Sequence, residues 1–360
     1  MSHHKLNRKI RQRKKINSKR YYVNIQKRIF FFSLLITLTT WGIVKYQSNQ
    51  NKAIIVEQTS QETLGKNQNL INANNPNLPL DSELDNFAQN LSQETSTNSS
   101  DEIKFQEIMK LAITQQWYQL SMGEIMQKVS DQLLGSEYKA GLLDQYSQET
   151  LVASLTQFDC VLFVETVLAL TRGIIIQNYQ YSTFIEHLTQ QRYWNGNLNG
   201  YCSRLHYFSE WIADNQRREI VKNIGLDLGG IQINKKLNFM SNHRSSYPQL
   251  VNNNQNYQCI QEMEKNLTNL TIDYLPTKQI KTVYNQLKSG DIIGITTNIS
   301  GLDVTHTGLV YRNQNGNIGL IHASPIGKVT IASDLQTYVS KVENSTGILV
   351  ARPVDLHYNR

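Results

Sequence analysis

Cysteine is scarce in this 360-residue chain: there are three, an odd number, so any pairing leaves one thiol over. The metalloprotease pattern His-Glu-x-x-His is absent, which removes the commonest helical zinc site. No internal repeat is present. Acidic residues are missing from Met1 to Arg28, a stretch that holds eleven Lys or Arg. The remaining chain has 25 basic and 29 acidic residues, a net charge of −4, so the overall +7 belongs to the tail. A basic binding face on the folded part is not implied, and nucleic acid is excluded as a partner.

The basic tail, residues 1–28, is followed by the uncharged run Ile29–Val44. As a helix it would reach ~24 Å, short for a ~30 Å hydrocarbon core unless flanking side chains snorkel. It is expected to be a signal anchor or signal peptide, membrane contact running through residues 29–44, with the chain after it exported. From Gln47 to Ser100, 29 of 54 residues are Asn, Gln, Ser or Thr. Such a segment buries too little apolar surface to offset its ordering entropy, so residues 45–100 are expected to be a disordered polar linker.

From Asp101 the texture changes, and residues 101–360 are expected to form one domain. Ser121 and Glu124 make a capping box ahead of Met122, Ile125, Met126, Val129 and Leu133 at helical spacing. A further helix is expected within Arg204–Asp214. The last third consists of short β-rich runs: 292–296, 305–311, 318–323, 328–331 and 347–352. Helices first and an antiparallel sheet afterwards indicate an α+β fold. Cys202 and Cys259 are a possible bridge that would leave Cys160 free. Oligomeric state leaves no trace in the sequence.

Cys160 opens an apolar run that Gly173 is expected to end. Asp159 fits the N-cap, because its carboxylate can accept a first-turn N–H. A thiol in that first turn meets unpaired N–H groups and the positive end of the helix dipole, which favour the thiolate. The alternative is a buried structural cysteine.

A base is available in Thr305–Tyr311 and Ile318–Ala323, two strands flanking the turn-like Asn313-Gln-Asn-Gly316. A three-residue loop, Gln314–Gly316, pairs Asn313 with Asn317 and sets His322 opposite Gly308. His306 and His322 then lie on one face as diagonal neighbours. A two-residue Asn315-Gly316 turn would shift the register by one and separate them. In the first register His306 takes the Cys160 proton and His322 fixes the tautomer of His306. Zinc held by His306, His322 and Asp303 is the competing chemistry; a poised thiolate needs neither metal nor cofactor.

These residues resemble the papain-like cell-wall hydrolases of the NlpC type, and within them the N-acetylmuramoyl-L-alanine amidases. The resemblance covers roughly residues 103–353. It rests on Leu134-Gly-Ser-Glu-Tyr138, Phe158-Asp-Cys-Val-Leu-Phe-Val-Glu165 and Arg204-Leu-His-Tyr-Phe-Ser-Glu-Trp211. It continues through Phe239-Met-Ser-Asn-His243, Gly290-Asp-Ile-Ile293, Gly301-Leu-Asp-Val-Thr-His306 and His322-Ala-Ser324. Val161-Leu162 departs from it, since relatives more often carry a polar pair there.

The resemblance implies a papain-like fold with a nucleophilic Cys160, the base His306 and the third residue His322. The implied substrate is the amide between N-acetylmuramic acid and L-alanine in peptidoglycan or muramoyl-peptide fragments. Tyr138, Asp159, Arg204, His206 and Tyr207 are the candidate substrate contacts. An endopeptidase cutting between D-glutamate and the diamino acid is the alternative enzyme. A wall-binding module without catalysis is the alternative of another class.

Overall fold

Periodicity changes from helical to alternating near the middle of the chain, and the architecture follows it. The computed structural model describes residues 100–359. The basic tail, the segment 29–44 and all of the linker but Ser100 lie outside the described residues. Among the described residues no helix is long and apolar enough to cross a membrane.

Helix α1 (Ser100–Thr114) buries Phe105, Ile108, Met109 and Ala112, one face at helical spacing. Helix α2 (Met122–Gln132) starts at the Ser121–Glu124 capping box, with Ser121 N donating to Glu124 at 3.0 Å. Helix α3 (Cys160–Ile175) is buried on nearly every side. It runs through Gly173, contrary to the expected stop there. Ile174 and Ile175 extend the buried apolar surface, which outweighs the weak helix propensity of one glycine, and the left-handed turn falls at Gln177 (φ 56°). Helix α4 (Tyr181–Arg192) lies beside α3. Helix α5 (Phe208–Arg217) begins four residues later than the sequence suggests, because Arg204 is held in a bridge to Tyr193. Helices α6 (Asn254–Asn266) and α7 (Leu335–Lys341) complete the set used below.

The strands are β1 (Glu137–Tyr138), β2 (Gln157–Phe158), β3 (Val221–Asn223), β4 (Ile231–Asn234), β5 (Thr271–Pro276), β6 (Ile292–Thr297), β7 (Val304–Arg312), β8 (Ile318–Ser324), β9 (Lys328–Ala332) and β10 (Ser345–Pro353). They form one sheet in the order β2-β1-β9-β8-β7-β6-β10-β5-β4, with β3 also paired to β10. All pairs are antiparallel except β1–β2. The architecture is therefore mixed α+β, as the element order predicts.

Alternation puts Ile292, Leu309, Ile321 and Leu349 in the larger core with the helices. Ile293, Val310, Leu320 and Val350 enter a second core that Leu335 and Val339 of α7 close from the other side. The β7–β8 hairpin takes the three-residue loop: Asn313 N bonds Asn317 O at 3.1 Å, and Arg312 pairs with Ile318. Gly316 supplies the left-handed residue that this loop needs (φ 78°). A two-residue turn is thereby ruled out. Cys202 and Cys259 are joined as a disulfide that ties α6 to the segment before α5, leaving Cys160 as the free thiol.

Candidate active site

Three segments meet at the start of α3. Asp159 has the extended backbone of an N-cap, and its Oδ1 accepts Leu162 N at 2.8 Å. The approach strand β2 pairs with β1, so Tyr138 lies beside Phe158, and Tyr138 N donates to Gly327 O at 2.9 Å in the β8–β9 turn. From the sheet, the Thr307 hydroxyl donates to the Cys160 carbonyl at 2.7 Å. Cys160 thus sits against the residue that follows His306, and it retains partial exposure.

Behind this helix tip a buried ion pair fixes the angle of α3. Glu165 accepts from Arg192 Nε at 2.7 Å and from Trp211 Nε1 at 3.1 Å, joining α3 to α4 and α5. Both charges are almost fully covered, so removing either alone would strand the other.

His306 Nε2 is 2.8 Å from His322 Nδ1, with the rings edge to face and their centroids 4.8 Å apart. One proton occupies that contact. When His306 Nε2 carries it, His306 Nδ1 is left with a free lone pair. Gly308, opposite His322 in the hairpin, makes the approach possible: a Cβ there would lie 2.9 Å from the His322 Cβ. A third ring, Tyr338 of α7, packs 4.6 Å from His322 and 6.1 Å from His306.

Burial decides the charge states. His306 is 6% exposed and His322 1%. Burial holds His306 down to about 3, helped by His322, and holds His322 down to about 4 against the Ala323 carbonyl. Burial also pushes the Cys160 thiol up to about 11, with the Asp159 carboxylate adding to it. Hydrogen bonds from Thr307 and from the backbone N–H of Cys160 oppose this rise without cancelling it. Burial thus works against the pull of the helix start on the thiol. At neutral pH the thiol and both imidazoles are neutral, and a thiolate forms only as its proton leaves.

The other candidate contacts divide. Tyr138 and Asp159 face Cys160 closely enough for Tyr138, raised to about 12 chiefly by burial, also to feel the charges of Cys160 and Asp159. Arg204 is 6% exposed and bonds the Leu143 carbonyl at 2.6 Å and Asp144 at 2.5 Å, with Glu149 at 3.8 Å. His206 Nε2 is 2.8 Å from the Tyr201 carbonyl. Tyr207 donates to Glu264 at 2.8 Å and accepts Met240 N at 3.2 Å. Each of these three side chains has at least one polar atom engaged within the fold. Asp303, the third group of the zinc alternative, accepts from Ser209 N and Oγ at 2.7 Å each and from Val304 N at 2.8 Å. Among the described residues no cluster of three His, Cys, Asp or Glu is placed to hold a metal ion.

Thr307 and Tyr338 join the site without having been singled out in the sequence. Thr307 is adjacent to His306, yet its contact with Cys160 spans 147 positions. The only local sign at Tyr338 is a short helix capped by Asp334, which accepts Thr337 N at 2.8 Å.

A separate buried carboxyl makes stability depend on pH. Glu210 is 5% exposed, its Oε2 has no hydrogen-bond partner, and burial followed by Asp303 raises it to about 8. The folded state holds this proton more tightly than the unfolded chain does. Stability from Glu210 is therefore lost as pH rises from about 4.5 to about 8, on the order of a few kcal/mol. Melting temperature measured across that range should fall, and Glu210→Gln should flatten the fall and melt above wild type at about pH 8. An unchanged slope in the variant would assign the dependence to other groups.

A model of the N-acetylmuramoyl-L-alanine amidase-like family matches residues 128–348. Among solved structures, an N-acetylmuramoyl-L-alanine amidase from Bacteroides uniformis is 31% identical, with a TM-score of 0.61, covering 65% of this chain and 99% of that one. A Bacteroides fragilis protein provisionally described as a xylanase is 32% identical, with a TM-score of 0.58, covering 62% of this chain and 99% of that one. A Legionella pneumophila protein, 23% identical with a TM-score of 0.52 over 69% of this chain and 93% of that one, shares the fold. No curated protein matches the chain.

Proposed function

Because this chain belongs to the N-acetylmuramoyl-L-alanine amidase-like family, we propose that it is a peptidoglycan hydrolase that cuts the amide between N-acetylmuramic acid and L-alanine through Cys160. The observation that carries the reading is the buried His306–His322 contact at 2.8 Å, on a strand whose next residue, Thr307, holds the carbonyl of the free, partly exposed Cys160. A helix-borne cysteine served by strand-borne histidines is also what supports a papain-like relationship.

With the proton between the rings on His306 Nε2, Nδ1 accepts the proton of the Cys160 thiol while sulfur attacks the lactyl carbonyl. The C–S bond forms and the carbonyl π pair moves to oxygen. The Cys160 backbone N–H at the start of α3 is the proposed donor to that oxyanion, since Leu162 N serves the Asp159 cap. Collapse restores the carbonyl and breaks the C–N bond, and His306 returns the proton to the departing L-alanine nitrogen. Water, deprotonated by His306, then displaces sulfur, giving the lactyl carboxylate and the free thiol. Tyr138, which feels the charge of Cys160, and Asp159, the residue before it, are the proposed substrate contacts. Arg204, His206 and Tyr207, bonded to Asp144, Tyr201 and Glu264, are assigned to the fold instead.

The exported location is part of the same proposal. The basic tail, the apolar run 29–44 and the Cys202–Cys259 disulfide all fit an oxidising compartment facing the wall. The test is incubation with defined muramoyl peptides and identification of fragments by mass. Release of the muramic-acid sugar free of L-alanine is expected. A cut stem peptide with L-alanine still on the sugar would point to the endopeptidase instead, and intact substrate would point to a binding module.

A further inference from the structure

Three consecutive residues of β7 have three different tasks. His306 holds the imidazole proposed as base, and Gly308 leaves the room in which His322 comes within 2.8 Å of it. Between them Thr307, 1% exposed, donates its hydroxyl to the Cys160 carbonyl at 2.7 Å. Strand β6 fixes this stretch, with Ile295 opposite His306 and Gly294 opposite Thr307. The other polar contacts that orient the start of α3 run elsewhere. Asp159 caps Leu162 N within its own segment, and Glu165 binds Arg192 of α4 and Trp211 of α5. None of those contacts reaches β7. Apolar packing of α3 on the sheet resists separation but is non-directional, whereas a hydrogen bond prefers one distance and angle.

Building on the proposed function, we infer that Thr307 is a positioning residue: its hydroxyl ties the Cys160 backbone to the strand that carries His306, so that nucleophile and base keep one separation. The bond ends on the residue that bears the sulfur and starts from the neighbour of the residue that bears the imidazole. Little slack therefore remains between the two backbones. A carbonyl has two lone pairs, so Cys160 can serve both the helix ladder and Thr307, and the clamp takes no bond from α3. Its consequence is kinetic: a displacement of about 1 Å between reacting groups can cost on the order of 100-fold in rate. Thr307 itself neither moves a proton nor meets the substrate.

Thr307→Val keeps the shape of the side chain and removes the O–H, whereas Thr307→Ser keeps the O–H on a smaller side chain. With muramoyl peptide, kcat of Thr307→Val should fall by roughly 10- to 100-fold with KM near wild type, and Thr307→Ser should stay within about three-fold of wild type. A second readout needs no substrate: alkylation of Cys160 by iodoacetamide at neutral pH on the full chain with its disulfide intact, followed by mass. Cys160 is the free thiol, so one adduct reports one site. A neutral thiol must lose its proton to react, so alkylation should slow about ten-fold in Thr307→Val and recover in Thr307→Ser. Circular dichroism checks the fold of each variant; should Thr307→Val not fold, Thr307→Ala against Thr307→Ser makes the same comparison. Wild-type kcat and alkylation in a folded variant without the O–H would overturn the inference. Equal losses with and without the O–H would overturn it too and leave Thr307 as packing. A chain inactive on muramoyl peptide whose alkylation still slows and recovers would remove the amidase reading and leave the clamp standing.

Discussion

Cys160→Ala is expected to abolish hydrolysis of muramoyl peptides, with a loss of roughly 10⁵-fold or more in kcat, while the domain remains folded. The size follows from the role. No other side chain at the helix start can form the acyl intermediate, so what remains is whatever rate binding and backbone donors confer. Folding should be nearly unaffected, within about 1 kcal/mol, because the cap depends on Asp159 and the helix on Glu165 and its partners. Circular dichroism and melting temperature check the fold, and single-turnover assays check the chemistry. A folded variant with undiminished turnover would end the cysteine mechanism.

The second large effect is at the histidines, and it should be graded. His306→Ala removes the base and is expected to cost roughly 10³- to 10⁵-fold in kcat. His322→Ala leaves the base present but frees its tautomer, so its loss should be about one to two orders of magnitude smaller. Equal losses at the two positions would mean that His322 does more than orient. The pH profile offers a parallel check. His306 must be neutral to accept a proton, and burial holds its pKa near 3. The acid limb of kcat/KM should therefore fall well below pH 6.5 in the wild type. A limb near 6.5 would indicate that the ring is more solvated than this structure has it.

Local signals were strong where the physics is local. Asp159 before Cys160, the Ser121–Glu124 box and Gly316 in the hairpin loop each act within a few residues, and each is found in the expected conformation. Short β runs near 292–297, 304–312 and 318–324 carry enough alternation to be recognised. Gly173 misled because propensity is a small term beside the burial of Ile174 and Ile175. Arg204 looked like a ligand because a charged residue in a motif reads the same whether it faces a cleft or is itself buried against Asp144.

By itself the sequence determined a helix beginning at a capped cysteine and two histidines on adjacent strands, and it narrowed the hairpin to two registers between which the structure chose. Capping, alternation and turn chemistry are written in neighbouring residues. Only the tertiary structure decided that His306 and His322 touch, that Thr307 and Tyr338 belong to the site, and that thiol and imidazoles rest neutral. Those outcomes depend on burial and on contacts between distant segments. Desolvation is set by everything packed around a group, which no local window of sequence contains.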